Sequence, residues 1–319
     1  MYHWAERLYH RLPLGRNILE HQVEAFDFTD TMDEIEGLNP PADSLRAGHD
    51  AIPSIIHFIW GLRDAELNFI NYLAIRTAIL NSGVDEIKLH SFKLNEDNEW
   101  LKRLKPNITL VPHCPEDLET KDARKSWHVA HLSDVLRLDI LYKEGGIYLD
   151  MDAFVVRHFS SLLTNPKDVI LGHEGGNRWG LCNAVILARK DAVFLKRWID
   201  NYHNFSGKDW NYHSVILPKK ISSEFPEEVC ALSPTVFFWP TWTFEHVAYM
   251  HRPLSKSETL VVKDDLMRQS GALYANQIAY HAWSQMADRH YLAKLTPESM
   301  MHVDTRFNLM MRPIIMSSF

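Results

Sequence analysis

Apolar runs alternate with amphipathic segments through the first half of the chain. Ile52–Gly61 is a nearly continuous apolar run, which predicts a strand covered on both faces, as in a parallel sheet. The segment 64–81 carries apolar side chains at helical spacing. Further strands are predicted over Glu86–Phe92 and Ile108–Pro112, with helical turns around Glu96–Leu104. This alternation of strands and helices predicts an α/β architecture of the nucleotide-binding type.

The same alternation continues through the second half. A long helix is predicted from about Ala123 to Glu144, where Gly145 ends it, and the short strand Ile147–Asp150 follows directly. The largely apolar C-terminal run Phe307–Met316 is interpreted as a docking strand, with a peripheral membrane contact as the alternative. The remaining predicted elements are strands over Asp168–Gly172, Leu181–Ala188, Val236–Trp239 and Gln277–Trp283, and a helix over Ala192–Tyr202.

Composition changes along the chain suggest one boundary. Residues 1–50 are polar, are acidic around Asp30–Glu36, and end in Asn39-Pro40-Pro41. We interpret them as an N-terminal helical extension. Neither an internal repeat nor a convincing linker follows, so residues 51–319 are predicted to form a single domain, which is long enough to bury a large core.

Charge and cysteine content exclude several classes of protein. The net charge of −7 argues against nucleic acid or an anionic membrane as the main partner. The three cysteines are widely spaced and form no CxxC pair, so neither a zinc cluster nor a disulfide framework is indicated. No apolar run is long enough for a transmembrane helix, and the first residues lack the apolar centre of a signal peptide. A cytoplasmic location is therefore predicted, with the Golgi lumen as the alternative for a truncated or processed chain.

The most informative stretch is Gly145-Gly146-Ile147-Tyr148-Leu149-Asp150-Met151-Asp152. A glycine pair leads into an apolar strand, and two carboxylates one residue apart follow at its end. Such a strand brings both acids to the edge of a sheet, close enough to share one divalent cation. Mg²⁺ or Mn²⁺ is typically held by one or two carboxylates together with the phosphates of a substrate. The motif therefore predicts a site for a metal-bound diphosphate, as in a nucleotide-sugar transferase.

Five other positions are candidates for the same cleft, and each has a purely structural alternative. Asp134 and Arg137 share one helical face and could bind sugar hydroxyls and a diphosphate, or form only a local salt bridge. Trp60 ends the first strand, where it could stack on a base or pack in the core. Asn183 could border a sugar pocket. His281 could bind the metal, or be a core histidine.

Three segments of the chain resemble one group of glycosyltransferases. They are Ile52–Trp60, Ser133-Asp134-Val135-Leu136-Arg137 and Gly145–Asp152. The group is the DXD-containing family of fungal outer-chain and inositolphosphoceramide mannosyltransferases. Lactosylceramide galactosyltransferase-like enzymes belong to it, and the glucosyltransferase domains of large clostridial toxins are distant relatives. The resemblance implies a GT-A fold with a Rossmann-like sheet and helices on both faces. It also implies a nucleotide-sugar and metal half at 51–160 and an acceptor-side half at 161–319.

The resemblance also implies roles for individual residues. Trp60 would stack on the base, Asp134 and Arg137 would bind the donor sugar and phosphate side, and Tyr148 would lie beside them. Asp150 would face ribose or sugar hydroxyls and contribute to the metal site. The implied metal ligands are Asp150, Asp152 and His281, while Trp283 and Asn183 complete the predicted donor site.

The implied reaction transfers a hexose, with retention of configuration, from a UDP- or GDP-hexose to a hydroxyl acceptor. The cation would be Mn²⁺, with Mg²⁺ as the alternative. UDP-sugars and GDP-mannose fit the motif equally well, and a glycan, a lipid or a protein could be the acceptor. Glu174-Gly175-Gly176-Asn177 could border the sugar pocket or form a plain turn. Trp179, Trp210, Trp239 and Trp242 could form a sugar platform or merely pack.

Rival interpretations of the motif fit less well. Leu149–Phe154 is similar to the first metal motif of lesion-bypass polymerases, but this chain is acidic and has no second Ser-x-Asp-Glu motif. Haloacid-dehalogenase phosphatases require Thr or Val where this chain has Phe154. An EF-hand loop would need a glycine and a glutamate that are missing here. A non-catalytic sugar-binding protein descended from a transferase stays open as the non-enzyme alternative.

Overall fold

The computed structural model describes residues 29–40, 50–114, 129–202 and 211–317. Its centre is a seven-stranded sheet in the order β3-β2-β1-β4-β7-β6-β8. All strands run in one direction except β7, which is antiparallel to both of its neighbours. The strands of this sheet are β1 (Ile55–Trp60), β2 (Glu86–Ser91), β3 (Thr109–Pro112), β4 (Gly146–Leu149), β6 (Val169–Glu174), β7 (Gly180–Ala188) and β8 (Val229–Leu232).

Side chains of the sheet pack into a hydrophobic core on each face. Successive residues of a strand point to opposite faces, and the two cores follow that alternation. Ile147 and Leu149 of β4 belong to one core, while Tyr148 between them belongs to the other. Burial on both faces explains why β1 and β4 are continuously apolar in sequence. The α/β class predicted from the sequence, with helices on both faces of a Rossmann-like sheet, is confirmed.

Helices connect most of the strands. Several begin at a residue whose side chain accepts hydrogen bonds from the first turn, such as Asn68 at the start of α2. The described helices are α1 (Met32–Leu38), α2 (Phe69–Asn81), α3 (Glu99–Leu104), α4 (Val129–Glu144), α5 (Ser160–Leu163), α6 (Val193–Asn201), α7 (Leu217–Glu224), α8 (Pro234–Phe237), α9 (Phe244–His251), α10 (Lys256–Arg268), α11 (Ser284–Ala287), α12 (Pro297–His302) and α13 (Arg306–Met316). Short 3-10 segments lie at Lys105–Asn107 and Leu292–Lys294, and a π-helical turn at Tyr212–Ile216.

A second, two-stranded sheet joins distant parts of the chain. Strand β5 (Ala153–Val155) pairs in antiparallel fashion with β9 (Ala279–His281), and Ala153 lies opposite His281. Because β5 begins one residue after the Asp150–Asp152 turn, this pairing brings the late histidine to the acidic motif. The sequence pattern did not predict β5.

Two predicted strands are wrong. Val236–Trp239 was expected to be a strand, but Pro234–Phe237 forms the helical turn α8, because proline suits the first turn of a helix and lacks the N–H that a strand interior needs. Phe307–Met316 was expected to be a docking strand but lies in helix α13. Among its buried residues, the apolar Phe307, Met310, Met311 and Ile314 recur at intervals of three and four, which is the period of a helix.

The segment before β1 is attached to the hairpin between β6 and β7. Glu34 of α1 is buried, and its two carboxylate oxygens accept hydrogen bonds from Arg178 Nε at 2.6 Å and Nη2 at 2.8 Å. Arg178 lies in that hairpin with a φ of 57°. The division of the chain at residue 50 stays a prediction, and the part of the predicted Ala123–Glu144 helix before Val129 lies outside the described residues. None of the described helices is long and apolar enough to cross a membrane.

Candidate active site

Three potential metal ligands meet at the carboxyl edge of the sheet. One ligand atom each from Asp150, Asp152 and His281 lies within 4.8 Å of the other two. His281 Nε2 is 3.1 Å from Asp152 Oδ1 and 4.0 Å from Asp150 Oδ2. Asp152 and His281 are buried, whereas Asp150 keeps 27% of its side-chain surface exposed. The cluster therefore has one open side, at Asp150.

Backbone hydrogen bonds hold this cluster in place. Asp150 N donates to Ala184 O of β7, and Ala282 N donates to Asp152 O, both at 2.9 Å. Ser284, the first residue of α11, donates its backbone N–H to Asp152 Oδ2 at 2.7 Å. A carboxylate at a helix N-terminus is stabilised by the unpaired N–H groups there. The main chain directly after β9 thus fixes both the backbone carbonyl and the carboxylate of Asp152.

The glycine pair brings β4 close to β1. Gly145 ends α4 with a φ of 71°, and Gly146 has a φ of 106°, a region open to glycine but costly for other residues. A Cβ on Gly146 would lie 2.7 Å from Ile55 O. The motif therefore needs glycine at this position both for its backbone angles and for the packing of β4 on β1.

Asp134, Arg137 and Asn183 form a buried polar network beside the cluster. Asn183 Nδ2 donates to Asp134 Oδ1 at 2.7 Å, and Arg137 Nη1 donates to Asn183 O at 2.8 Å. Arg137 also pairs with Asp150 at 2.9 Å and with Asp134 at 3.3 Å. The i,i+3 salt bridge suggested by the sequence is present, and it continues into the acidic motif. The structure thus brings together all four predicted catalytic residues.

Tyr148 lies beneath this network. Its ring is buried, its hydroxyl donates to Asp150 Oδ1 at 2.7 Å, and the Arg137 guanidinium carbon is 4.5 Å from its ring centroid. The same Asp150 oxygen also accepts from Arg137. Tyr148 and Arg137 together fix the rotamer of Asp150, so that its second oxygen, Oδ2, is the one nearer to His281.

The electrostatics of the cluster favour a bound cation. Burial opposes ionisation of Asp152, yet His281 and the Ser284 N–H hold the pKa of this carboxyl well below its ordinary value. Burial and the negative charge of Asp152 raise the pKa of Asp150, in spite of Arg137. Burial would lower the pKa of His281, but Asp152 raises it above its ordinary value. A bound divalent cation would neutralise the two close carboxylates, with the imidazole as a third ligand.

The donor set fits a divalent transition metal. Two carboxylates and one imidazole offer both oxygen and nitrogen ligands, a combination that suits Mn²⁺, and Mg²⁺ also accepts carboxylates. Asp150, Asp152 and His281 are the residues that would hold the ion. Three protein ligands leave further coordination positions for the phosphates of a substrate.

The two predicted tryptophans occupy different places. Trp60 is the last residue of β1, the strand next to β4, and it is partly buried and packs against one of the two cores. Trp283 contacts the cluster directly. Its ring centroid is 4.3 Å from that of His281, its Nε1 donates to Pro240 O at 2.9 Å, and its φ is 54°. A left-handed conformation is unusual for a bulky residue, and here it turns the chain from β9 into α11.

Two features of the site were not assigned from the sequence. A backbone N–H such as that of Ser284 cannot be recognised from the residue type. The only hint in the sequence is a serine at the start of a helix directly after Trp283. Glu174, the last residue of β6, is buried and accepts a hydrogen bond from Trp242 Nε1 at 2.8 Å. The sequence analysis named Glu174 as a residue that could border the sugar pocket or form a plain turn, and Trp242 as one that could form a sugar platform or pack.

Comparisons with known proteins agree with this geometry. Residues 68–174 match the family model described as "Glycosyltransferase sugar-binding region containing DXD motif". Glucan organizing enzyme 1 of Cryptococcus neoformans var. grubii is 33% identical over 278 residues, which make up 83% of this chain and 71% of that protein. Subversion of eukaryotic traffic protein A of Legionella pneumophila is 33% identical over 89 residues, 27% of this chain and 14% of that one.

Solved structures similar to this chain are glycosyltransferases with low sequence identity. PaToxG glycosyltransferase matches 88% of this chain and 90% of its own, with 18% identity and a TM-score of 0.42. The glycosyltransferase GlyE of Streptococcus pneumoniae, in its apo form, matches 83% of this chain and 61% of its own, with 11% identity and a TM-score of 0.47. Given the matching family model and the extent of the fungal relative, the chain belongs to the family of glycosyltransferases whose sugar-binding region contains the DXD motif.

Proposed function

We propose that the protein is a metal-dependent, retaining glycosyltransferase that moves a hexose from a UDP- or GDP-hexose to a hydroxyl acceptor. The observation that carries this proposal is the cluster of Asp150, Asp152 and His281 within 4.8 Å at the carboxyl edge of the sheet. Nucleotides in open α/β sheets bind at that edge. The buried pair Asp134–Arg137 adjoins the cluster, as a site for a charged sugar donor requires.

Asp150, Asp152 and His281 would hold Mn²⁺. When bound, the cation supplies Lewis-acid stabilisation of the negative charge that develops on the leaving nucleoside diphosphate, an effect of several kcal/mol. The His281 imidazole and the Ser284 N–H keep Asp152 ionised and oriented.

Arg137 adds a fixed positive charge behind the metal ligands. Its guanidinium is buried and is oriented by Asp150, by Asp134 and by the carbonyl of Asn183. Burial opposes its charge, but Asp150 and the other neighbours raise the pKa of Arg137, which keeps it cationic. Because this charge is preorganised, it needs no reorientation as the diphosphate leaves.

The transfer step requires no nucleophile from the protein. The bond between the anomeric carbon and the diphosphate oxygen breaks, and its electron pair stays on the diphosphate. A new bond forms between that carbon and the acceptor oxygen, on the face that the leaving group vacates. Because attack takes place on that face, the configuration is retained, and the acceptor's proton passes to an oxygen of the departing diphosphate.

Among acceptor classes, a glycan is the best supported. The fungal relative that matches 83% of this chain is named for organising glucan. Its name suggests that a carbohydrate is the acceptor here as well, in preference to a lipid or a protein.

A donor-hydrolysis screen tests the proposal. Purified protein is incubated with each common UDP- and GDP-hexose, with Mn²⁺ or with EDTA, and release of nucleoside diphosphate is followed. Asp152→Asn is compared with Asp139→Asn, a matched change at a half-exposed residue that pairs with Lys143 on the same helix as Asp134. We expect release from one donor that requires Mn²⁺, is lost in Asp152→Asn and is kept in Asp139→Asn.

Two results would contradict the proposal in different ways. Binding of a nucleotide sugar without turnover, even with a saccharide mixture added, would favour the non-catalytic sugar-binding protein. Neither binding nor turnover by a folded protein, with cleavage of simple phosphomonoesters instead, would favour a phosphatase.

A further inference from the structure

A second buried carboxylate lies at the same edge of the sheet as the metal ligands. Glu174 ends β6, which runs parallel to β4, and only β7 separates the two strands. Glu174 lies opposite Gly180 of β7 and Asp150 beside Ala184, so the two positions are offset by two strand spacings, about 10 Å, across the sheet and by four residues along β7. The reaction described above assigns no role to Glu174, although burying a charged side chain is costly unless it is held by polar partners.

Glu174 accepts a hydrogen bond from a residue in the C-terminal half of the chain. Its Oε1 accepts the 2.8 Å hydrogen bond from the indole N–H of Trp242, which is partly buried. Phe238, four residues earlier, packs on β6, where a Cβ on Gly172 would lie 2.8 Å from its ring. The Phe238 ring centroid is also 6.0 Å from that of His281. The segment from Phe238 to Trp242 therefore bridges β6 and the metal-binding histidine.

Cys182 lies on β7, the strand between those that carry the two acidic positions. Burial, the charge of Glu174 and, more weakly, the charge of Asp150 raise the pKa of its thiol. Cys182 precedes Asn183, whose amide binds Asp134. Along the edge of the sheet, the order is thus the metal ligand Asp150 after β4, the Cys182–Asn183 pair on β7 and Glu174 on β6.

This order matches the order of groups along a bound donor and its acceptor. Base, diphosphate and sugar would follow the edge from Trp60 on β1 to the metal ligands after β4 and then to Asn183. The next position along the edge, where an attacking hydroxyl must approach, is that of Glu174. The exposure of Glu174, 4%, is slightly below that of Asp134, 6%, and Asp152, 8%, so Glu174 is buried to about the same degree as the residues predicted to bind the donor.

We propose that Glu174 and Trp242 form a binding subsite for the saccharide ring that accepts the transferred sugar. This inference rests on the proposed function and names the chemical class of its acceptor. Carboxylate oxygens accept hydrogen bonds from ring hydroxyls, and an indole offers an apolar face to the C–H groups of a sugar. The bond between Trp242 and Glu174 sets the angle between the two groups. Glu174 is an acceptor-binding residue here, and the proton still leaves with the diphosphate.

The test measures how the enzyme partitions between water and a saccharide. With the donor and Mn²⁺ fixed, transfer to methyl α-D-glucoside, methyl α-D-mannoside and methyl β-D-galactoside is measured against hydrolysis of the same donor. The variants are Glu174→Gln, which keeps the shape of the side chain, and Trp242→Phe, which keeps an aromatic face but loses the N–H. Glu36→Gln, at an exposed residue of α1, is the matched control.

We expect the ratio of transfer to hydrolysis to fall about 10- to 100-fold in Glu174→Gln, since each lost hydrogen bond to a charged group weakens binding by about that factor. The loss should appear as a higher KM for the saccharide. Trp242→Phe should lower the ratio less, and Glu36→Gln should match the wild type. Thermal melting and Mn²⁺-dependent binding of the donor's nucleoside diphosphate show that each variant is folded.

Each contrary result has one meaning. An unchanged ratio in both variants overturns the subsite and leaves the proposed function intact. A wild-type protein that hydrolyses its donor but transfers to none of the three glycosides also overturns it. A wild-type protein that turns over no donor at all contradicts the proposed function itself.

Discussion

The side-chain amide of Asn183 donates a 2.7 Å hydrogen bond to Oδ1 of Asp134. This bond joins β7 to helix α4. The carbonyl of Asn183 accepts from Arg137 at 2.8 Å, so one residue orients both members of the predicted donor-binding pair. Asn183 thus fixes the side chains of Asp134 and Arg137 relative to each other.

Replacing Asn183 by Asp should disable the site. The change puts a second carboxylate against buried Asp134, and we expect the free energy of unfolding to fall by about 2–4 kcal/mol and donor turnover to be lost. Asn183→Ala removes one hydrogen bond without adding charge and should cost about 1–2 kcal/mol. Denaturant unfolding and donor hydrolysis measure both effects. Equal stability of the two variants would show that a second carboxyl group at position 183 is not repelled by Asp134.

Manganese should stabilise the folded protein. The cation would relieve the repulsion between Asp150 and Asp152, and a ligand present at 100 times its dissociation constant adds about 2.7 kcal/mol to the free energy of unfolding. Differential scanning fluorimetry across a Mn²⁺ titration measures the shift in Tm. The shift should be lost in His281→Ala and kept in His290→Ala, which changes an exposed histidine. A full shift in His281→Ala would remove His281 from the metal site.

The hydroxyl of Tyr148 should matter more for the donor than for the fold. Tyr148→Phe keeps the ring under Arg137 but loses the 2.7 Å bond to Asp150. We expect a loss of about 1 kcal/mol in stability and a roughly tenfold higher KM for the donor, because Asp150 is then held by Arg137 alone. Steady-state kinetics with Tyr142→Phe as the control check this. A wild-type KM would mean that Arg137 suffices to orient Asp150.

Buried His251 should make the protein sensitive to acid. Burial lowers the pKa of this histidine to about 3, against about 6.5 in an unfolded chain. The unfolded state therefore binds a proton that the folded state does not, and stability falls as the pH drops from 6.5 towards 3. Between pH 6.5 and 5 the loss from this residue is about 2 kcal/mol.

The variant His251→Phe tests this acid sensitivity. The ring at this position stacks on Tyr291 and contacts Phe307, so a phenyl ring has apolar partners there. Urea unfolding at several pH values should give a shallower pH dependence for His251→Phe than for the wild type. His302→Phe, at an exposed position, is the control. Parallel pH profiles for all three proteins would show that other groups dominate acid unfolding.

Local patterns revealed much of the fold but not the contacts that complete the site. The continuous apolar runs at β1 and β4 and the Gly145–Asp152 motif were sufficient to locate the central strands and two of the three clustered ligands. His281 lies 129 residues after Asp152, and β9 has only three residues. Such a short strand forms because β5 pairs with it, and no local pattern encodes that partner.

Tertiary packing also explains the errors. Val236–Trp239 is rich in aromatic and β-branched residues, which favour strands in isolation. Here the same side chains cover Gly172 of β6 as a helical turn. Phe307–Met316 is so apolar overall that its helical period was not recognised in the sequence. The spacing of its buried apolar residues shows that period. The reversed direction of β7 was likewise not predicted, because a buried strand has the same composition in either direction.

Strand β7 runs from the edge of the sheet that carries the candidate active site to the opposite edge. Its first residues lie with the metal ligands, while its last, Ala188, lies opposite Gly146 at the far edge, about 27 Å away along nine extended residues. Lys190 is exposed just beyond. A fluorophore or surface tether on Lys190→Cys, with exposed Cys114 changed to Ser, would therefore leave the substrate edge facing solvent. Position 190 is therefore a suitable attachment point for single-molecule or sensor measurements of sugar transfer.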